Sequence, residues 1–259
     1  MIEINGFYSL AGFVVGILIG LTGVGGGSLM TPLLVLLFNF HPATAVGTDL
    51  LYASVTKTVG SAAHGWRGTV DWRIVGRLAA GSVPASLLTL GVLYKLGSPS
   101  AFVAHVITMV LGAALVLTAC AIIFRTSILA FAASRRSAEN PARTAVATIS
   151  LGATLGVLVS LTSVGAGALG VTALLLLYPK LSIRRIVGTD IAHAVPLTLI
   201  GGLGHWLIGS VDLHLLGSLL IGSIPGVIIG SALAGRMSDK ALQPILAVIL
   251  LIVGGKLLL

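Results

Sequence analysis

Charge is scarce in this chain: of its 259 residues, 8% are Asp, Glu, Lys or Arg, where a soluble domain carries about 25%. That scarcity excludes a water-facing surface of ordinary composition, because a soluble fold of this length has nowhere to hide so much apolar area. Cysteine is nearly absent as well. The single Cys120 stands in an apolar run, which rules out an intrachain disulfide and leaves thiol redox chemistry without a pair. Acidic residues number seven against fifteen Lys and Arg, a net charge of +8. The basic residues stand singly or in small clusters between apolar runs, so they point to membrane topology and not to a nucleic-acid face. Stretches of about ten alternating polar and apolar residues are missing, which disfavours a β-barrel. The first residues, Met1-Ile2-Glu3-Ile4-Asn5, carry no basic segment of the signal-peptide kind, so the first apolar stretch is expected to stay in the mature protein.

What is present is apolar sequence in long runs. Hydrophobic residues make up 56% of the chain and the mean hydropathy is +1.11. Runs of about 20 residues, enough for a helix across a ~30 Å hydrocarbon core, recur along almost the whole length. The expected fold is therefore an all-α integral membrane protein.

Self-similarity gives the organisation. At an offset of about 140 residues, Leu21-Thr22-Gly23-Val24-Gly25-Gly26-Gly27 aligns with Leu161-Thr162-Ser163-Val164-Gly165-Ala166-Gly167, and Val46-Gly47-Thr48-Asp49 with Val187-Gly188-Thr189-Asp190. His64 falls on His205, Val70-Asp71 on Val211-Asp212, and Gly81-Ser82 with Pro84 on Gly222-Ser223 with Pro225. The chain reads as a first transmembrane repeat over 1–124, a basic cytoplasmic linker over 125–143 and a second repeat over 144–259.

Loops rich in Lys and Arg stay on the cytoplasmic side. Arg67, Arg73 and Arg77 crowd the loop after His64, whereas in the second half Lys180, Arg184 and Arg185 occupy the loop matching His41-Pro42. The two homologous repeats are thus expected to be inverted, with the linker inside and both termini outside. Residues 6–38 are nearly unbroken apolar sequence, which as one helix would run about 50 Å, so a break at Gly23–Gly27 is expected. The pair of pieces enters and leaves on one face, either as a full hairpin or as a re-entrant loop. The map has about five helical pieces per repeat: 7–22, 27–39, 45–65, 74–96 and 101–124, then 145–163, 166–178, 186–208, 213–234 and 241–258.

Backbone freed by a break at membrane depth is tolerated where protein or a watery cavity satisfies it, and half-helix N-termini favour anions. Substrate-binding candidates are therefore Thr22, Gly23, Gly25, Gly26, Gly27 and Ser28, with Thr162, Ser163, Gly165 and Gly167, and the repeated Thr48 and Thr189. Glycines spaced by four, such as Gly12, Gly16 and Gly20, or Gly222, Gly226 and Gly230, read as close helix packing instead.

An ionisable group at a span centre costs about 2.5–3.5 kcal/mol on insertion scales, which singles out Lys57. Its ammonium either meets an anion in the pore or pairs with a carboxylate. Asp49 and Asp190 read either as first-turn caps or, with His64, His193 and His205, as proton-coupling candidates. No His or Cys pair has metal-ligand spacing with a third ligand nearby, so no metal or cofactor is expected. No nucleophile is paired with a base, which argues against an enzyme.

The glycine-rich Leu21–Gly27, then Pro32, then Ala45-Val46-Gly47-Thr48-Asp49, then Gly65-Trp66-Arg67, with this series repeated in the second half, resembles the TauE/SafE sulfite exporter family over nearly the whole chain. The resemblance implies a plasma-membrane secondary transporter of a small sulfur-containing anion, of the sulfite, sulfonate or sulfoacetate class. Ser163 and Ala166 stand where Gly23 and Gly26 do, a departure from symmetry between the halves. The expected partners are the bilayer, a small anion and a coupling proton or cation, with a homo-oligomer left open; an anion channel through the same glycine-lined constriction is the alternative.

Overall fold

A computed structural model describes residues 5–22, 27–66, 69–97, 100–134, 141–234 and 239–259, with backbone alone at 22, 27, 59–66, 132–134, 234 and 239–242. The described residues form α-helices and no strand: α1 (Gly6–Thr22), α2 (Gly27–Leu36), α3 (Pro42–Trp66), α4 (Trp72–Leu96), α5 (Ala101–Ile123), α6 (Arg125–Ser134), α7 (Pro141–Thr162), α8 (Ala168–Leu177), α9 (Ile183–Leu207), α10 (Leu213–Ala234) and α11 (Asp239–Leu258). Five of them, α4, α5, α7, α9 and α10, are long and apolar enough to cross a membrane. All ten expected pieces occur. An eleventh, α6, lies within the linker, where Leu129 packs against the buried cluster around Leu174 and Leu175 of α8.

Several helices start earlier than their hydrophobic pattern indicates, α3 and α9 by three residues each. Proline suits the first helical position, where its missing N–H has no partner to lose, so α3 begins at Pro42. Ser182 caps α9 by accepting from the Arg185 amide. Asp49 and Asp190 consequently stand two turns inside α3 and α9, not in the first turn, so the capping reading of these carboxylates is corrected.

The polarity runs inside out relative to a soluble protein. Leu88, Ile228 and Ile252 are 61–72% exposed, whereas Thr48, Asp49, Lys57, Thr189, Asp190, His193 and His205 are buried. An apolar exterior around a polar interior fits a hydrocarbon solvent. Trp72, Tyr94 and Trp206 are exposed at helix ends, where amphipathic rings sit at membrane interfaces.

Helices of one half pair with helices of the other in reciprocal fashion. In α1, Gly12 and Gly16 face the backbone of Leu219 and Ser223 in α10, while in α7 Gly152 and Gly156 face Leu78 and Ser82 of α4. These are equivalent positions with the halves exchanged. A Cβ at any of the four would overlap partner backbone, so the packing reading of the four-spaced glycines holds, as it does for Gly20, Gly222, Gly226 and Gly230.

At the centre α3 and α9 lie against each other and run antiparallel. The Asp71 amide, just beyond α3, donates to Thr189 Oγ1 near the start of α9 at 2.9 Å. The Asp212 amide, just beyond α9, donates to Thr48 Oγ1 near the start of α3 at 3.1 Å. Arg185 pairs with Asp71 at 3.1 Å and Arg77 donates to the Tyr178 hydroxyl at 3.3 Å. The two basic loops therefore share one end of the molecule.

Candidate functional site at the second helix break

The interruption between α7 and α8 is built from backbone that a helix cannot continue. Ser163 has φ 60°, Gly165 φ 123° and Gly167 φ 130°, and a non-glycine residue in the left-handed region is uncommon. Thr162 stitches the end of α7 by donating to the Leu158 carbonyl at 2.7 Å and accepting from the Val164 amide at 3.1 Å. Gly170 and Val171 then donate to the carbonyls of Gly165 and Gly167, at 3.0 and 2.8 Å, restarting helix as α8. Ten residues of α8 span about 15 Å, half of a hydrocarbon core.

Charged groups converge on this break from both central helices. Lys57, 9% exposed, donates from Nζ to the Ala166 carbonyl at 3.3 Å. Asp190, 1% exposed, approaches the Gly167 amide, and its Oδ1 lies so close to Gly170 that a Cβ there would overlap it. Asp49 accepts from Thr31 Oγ1 at 2.5 Å. The Ser163 hydroxyl lies near Asp49 without a hydrogen bond of good geometry. The field of Lys57 reaches both carboxylates.

A polar seam leads away from the break between α4, α7 and α9. His193 Nε2 and Ser82 Oγ are 2.8 Å apart, Ser86 and Ser160 hydroxyls 2.6 Å, and His205 Nε2 donates to the Ser160 carbonyl at 2.9 Å. The seam is one-sided: the repeat counterpart of His193 is Tyr52, beside Ser223.

The structure thus brings together Lys57, Asp49, Asp190, Thr162, Ser163, Gly165 and Gly167, and places His193 and His205 along the adjoining seam. Thr48 and Thr189 sit apart from the break, their hydroxyls engaged in the reciprocal contacts between the halves. Ser28 is buried at the start of α2. Gly23, Gly25 and Gly26 lie outside the described residues, as do the side chains of Thr22 and His64; Thr22 ends α1 and Gly27 begins α2. Thr31, Ser82, Ser86 and Ser160 were not singled out for chemistry by the sequence, although Ser82 and Ser86 are spaced by four in apolar surroundings, which puts both hydroxyls on one helix face.

Ionisable groups gathered at an interrupted helix within an apolar-surfaced bundle define a multi-pass helical membrane protein of the transporter class. The chain belongs to the sulfite exporter TauE/SafE family, whose model matches residues 8–257. It is 42% identical over 250 residues to the probable membrane transporter protein YjnA of Bacillus subtilis (strain 168), covering 96% of this chain and 98% of that one. The probable membrane transporter protein YdhB of the same organism is 29% identical over 204 residues, covering 79% and 80%. A probable membrane transporter protein of Xylella fastidiosa (strain Temecula1 / ATCC 700964) is 39% identical over 77 residues, covering 27% and 30%. No solved structure matches this chain. The protein is a membrane transporter of the TauE/SafE type.

Proposed function

We propose that this protein is a secondary transporter that carries a small sulfur-containing anion, of the sulfite, sulfonate or sulfoacetate class, across the plasma membrane by alternating access. The observation that carries the reading is Lys57: a buried ammonium whose Nζ reaches a helix break at Ala166. An oxyanion there gains a charge-assisted hydrogen bond from Lys57 and a neutral donor from Ser163, whose hydroxyl lies beside Asp49. At the break an anion exchanges water for fixed donors, so a small, strongly hydrated anion is compensated for the solvent it loses.

Residues 1–124 and 144–259 act as two oppositely oriented units, joined through a cytoplasmic linker over 125–143. The antiparallel α3 and α9 and the basic loops at one shared end support that orientation. The broken segments α1–α2 and α7–α8 are then re-entrant, since ten-residue α2 and α8 are too short to span the core. Rocking of the two units about the α3–α9 contact exposes the break to each side in turn.

Proteoliposomes test the reading. Saturable uptake or counterflow of labelled sulfite, sulfoacetate or another sulfur oxyanion is expected; no such flux with any of them sinks it, and unitary currents in planar bilayers would assign a channel instead. Replacing Lys57 by Ala removes one charge-assisted bond, about 1.5–3 kcal/mol, and weakens apparent anion affinity by about 10- to 100-fold. Unchanged affinity in well-folded Lys57→Ala removes the lysine from the site.

A further inference from the structure

The second break already holds an ionisable group of the protein's own. Asp190 is almost wholly buried, lies beside the amide that opens α8, and among the described residues has no hydrogen-bond partner for Oδ1. Lys57 closes the arrangement from the other side, bonded to the Ala166 carbonyl with its field on Asp190 first and Asp49 second. A resident carboxylate thus occupies the place where the α8 dipole and free amides favour an incoming anion.

We propose that Asp190 is the proton carrier that couples this transporter to the proton gradient, with Lys57 passing from the Asp190 carboxylate to the substrate anion as both load. The inference rests on the transporter reading above. An anion arriving at Lys57 sets two negative groups around one ammonium, where unpaired charge is costly. A proton taken from water onto the unpartnered Oδ1 removes the conflict: the O–H bond forms as the anion binds, and it breaks when both leave on the far side. The carboxyl then becomes a donor facing the site.

The neighbours fit a proton better than a metal ion. The Lys57 ammonium repels a second cation, and among the described residues no three His, Cys, Asp or Glu side chains gather to hold a metal. On α9 itself His193 stands one turn beyond Asp190, bonded to Ser82 of α4. From α3 come Lys57 and Asp49, while α8 offers only backbone, at Gly167 and Gly170. The ionisable side chains of α4 and α7, Arg73, Arg77, Tyr94, Lys95 and Arg143, lie toward the helix ends. Asp49 differs from Asp190 in having a hydroxyl donor, Thr31, whereas among the described residues Asp190 takes no side-chain hydrogen bond.

The full chain in liposomes, with radiolabelled sulfite as probe, tests the proposal; protein-free liposomes set the background from sulfite's own protonation. In the wild type, an imposed proton gradient drives accumulation that a protonophore collapses, and a sodium gradient does not drive it. In Asp190→Asn the pH dependence of uptake is lost at whatever rate remains, and in Asp190→Glu, which keeps a titratable oxygen, dependence on the proton gradient returns. Wild-type flux that ignores the proton gradient or follows sodium, or Asp190→Asn with the wild-type pH profile, overturns the proposal while the transporter reading stands. Absence of any saturable sulfite flux in the wild type overturns the transporter reading and the proposal with it. If neither variant folds, the wild type decides: proton uptake from a dye-containing solution on adding sulfite to detergent-solubilised protein supports the proposal, and none overturns it.

Discussion

At Gly170 there is no room for a side chain, because Asp190 Oδ1 occupies the space a Cβ would take. Replacing Gly170 by Ala overpacks the break and costs about 1–3 kcal/mol, visible as a lower unfolding temperature in detergent. Gly76 is the control: nothing lies within 4 Å of its added Cβ, so Gly76→Ala stabilises its helix by about 0.5–1 kcal/mol. A matched, small effect at both positions would contradict the close approach of Asp190. At this scale the sequence was legible where a polar residue interrupts apolar sequence, as Lys57, Asp190 and Ser163 do. It was not legible at Gly170 or Thr31, whose roles depend on a carboxylate from a helix about twenty residues away. Local composition carries no trace of such a contact.

Between elements, the interlock of α3 and α9 rests on two threonines that the repeat revealed without revealing their task. Thr189 donates to the Arg185 carbonyl and accepts the Asp71 amide, while Thr48 accepts the Asp212 amide. Thr48→Val and Thr189→Val keep the shape but orphan those amides, a loss of about 1–3 kcal/mol each, measured as thermal stability. The reciprocal geometry predicts similar losses; a large loss at one and none at the other would contradict it. Helix existence and order were readable from hydrophobic runs and glycine punctuation. Helix starts were not, because they depend on Pro42 and on the Ser182 cap more than on hydropathy, and the short α6 was masked by the basic residues around it.

For the molecule as a whole, the repeat was legible as likeness between the two halves, and equivalent positions pair reciprocally across them; the opposed orientation read from the basic loops is a matter for experiment. Sidedness is the part that only a membrane can show. On a Cys120→Ala background, the account predicts that Arg184→Cys is labelled by an impermeant thiol reagent only from the cytoplasmic side, and Asn39→Cys, in the matching loop of the first half, only from the opposite side; labelling of both from one side contradicts opposed orientation. The central claim is narrower: a small oxyanion sits at the second helix break against Lys57. An experimental structure of the protein with bound sulfite or its heavier analogue selenite tests it most directly. The account predicts oxyanion density within hydrogen-bonding distance of Lys57 Nζ, with that nitrogen drawn away from Ala166; density elsewhere, with Lys57 still on the Ala166 carbonyl, would contradict it.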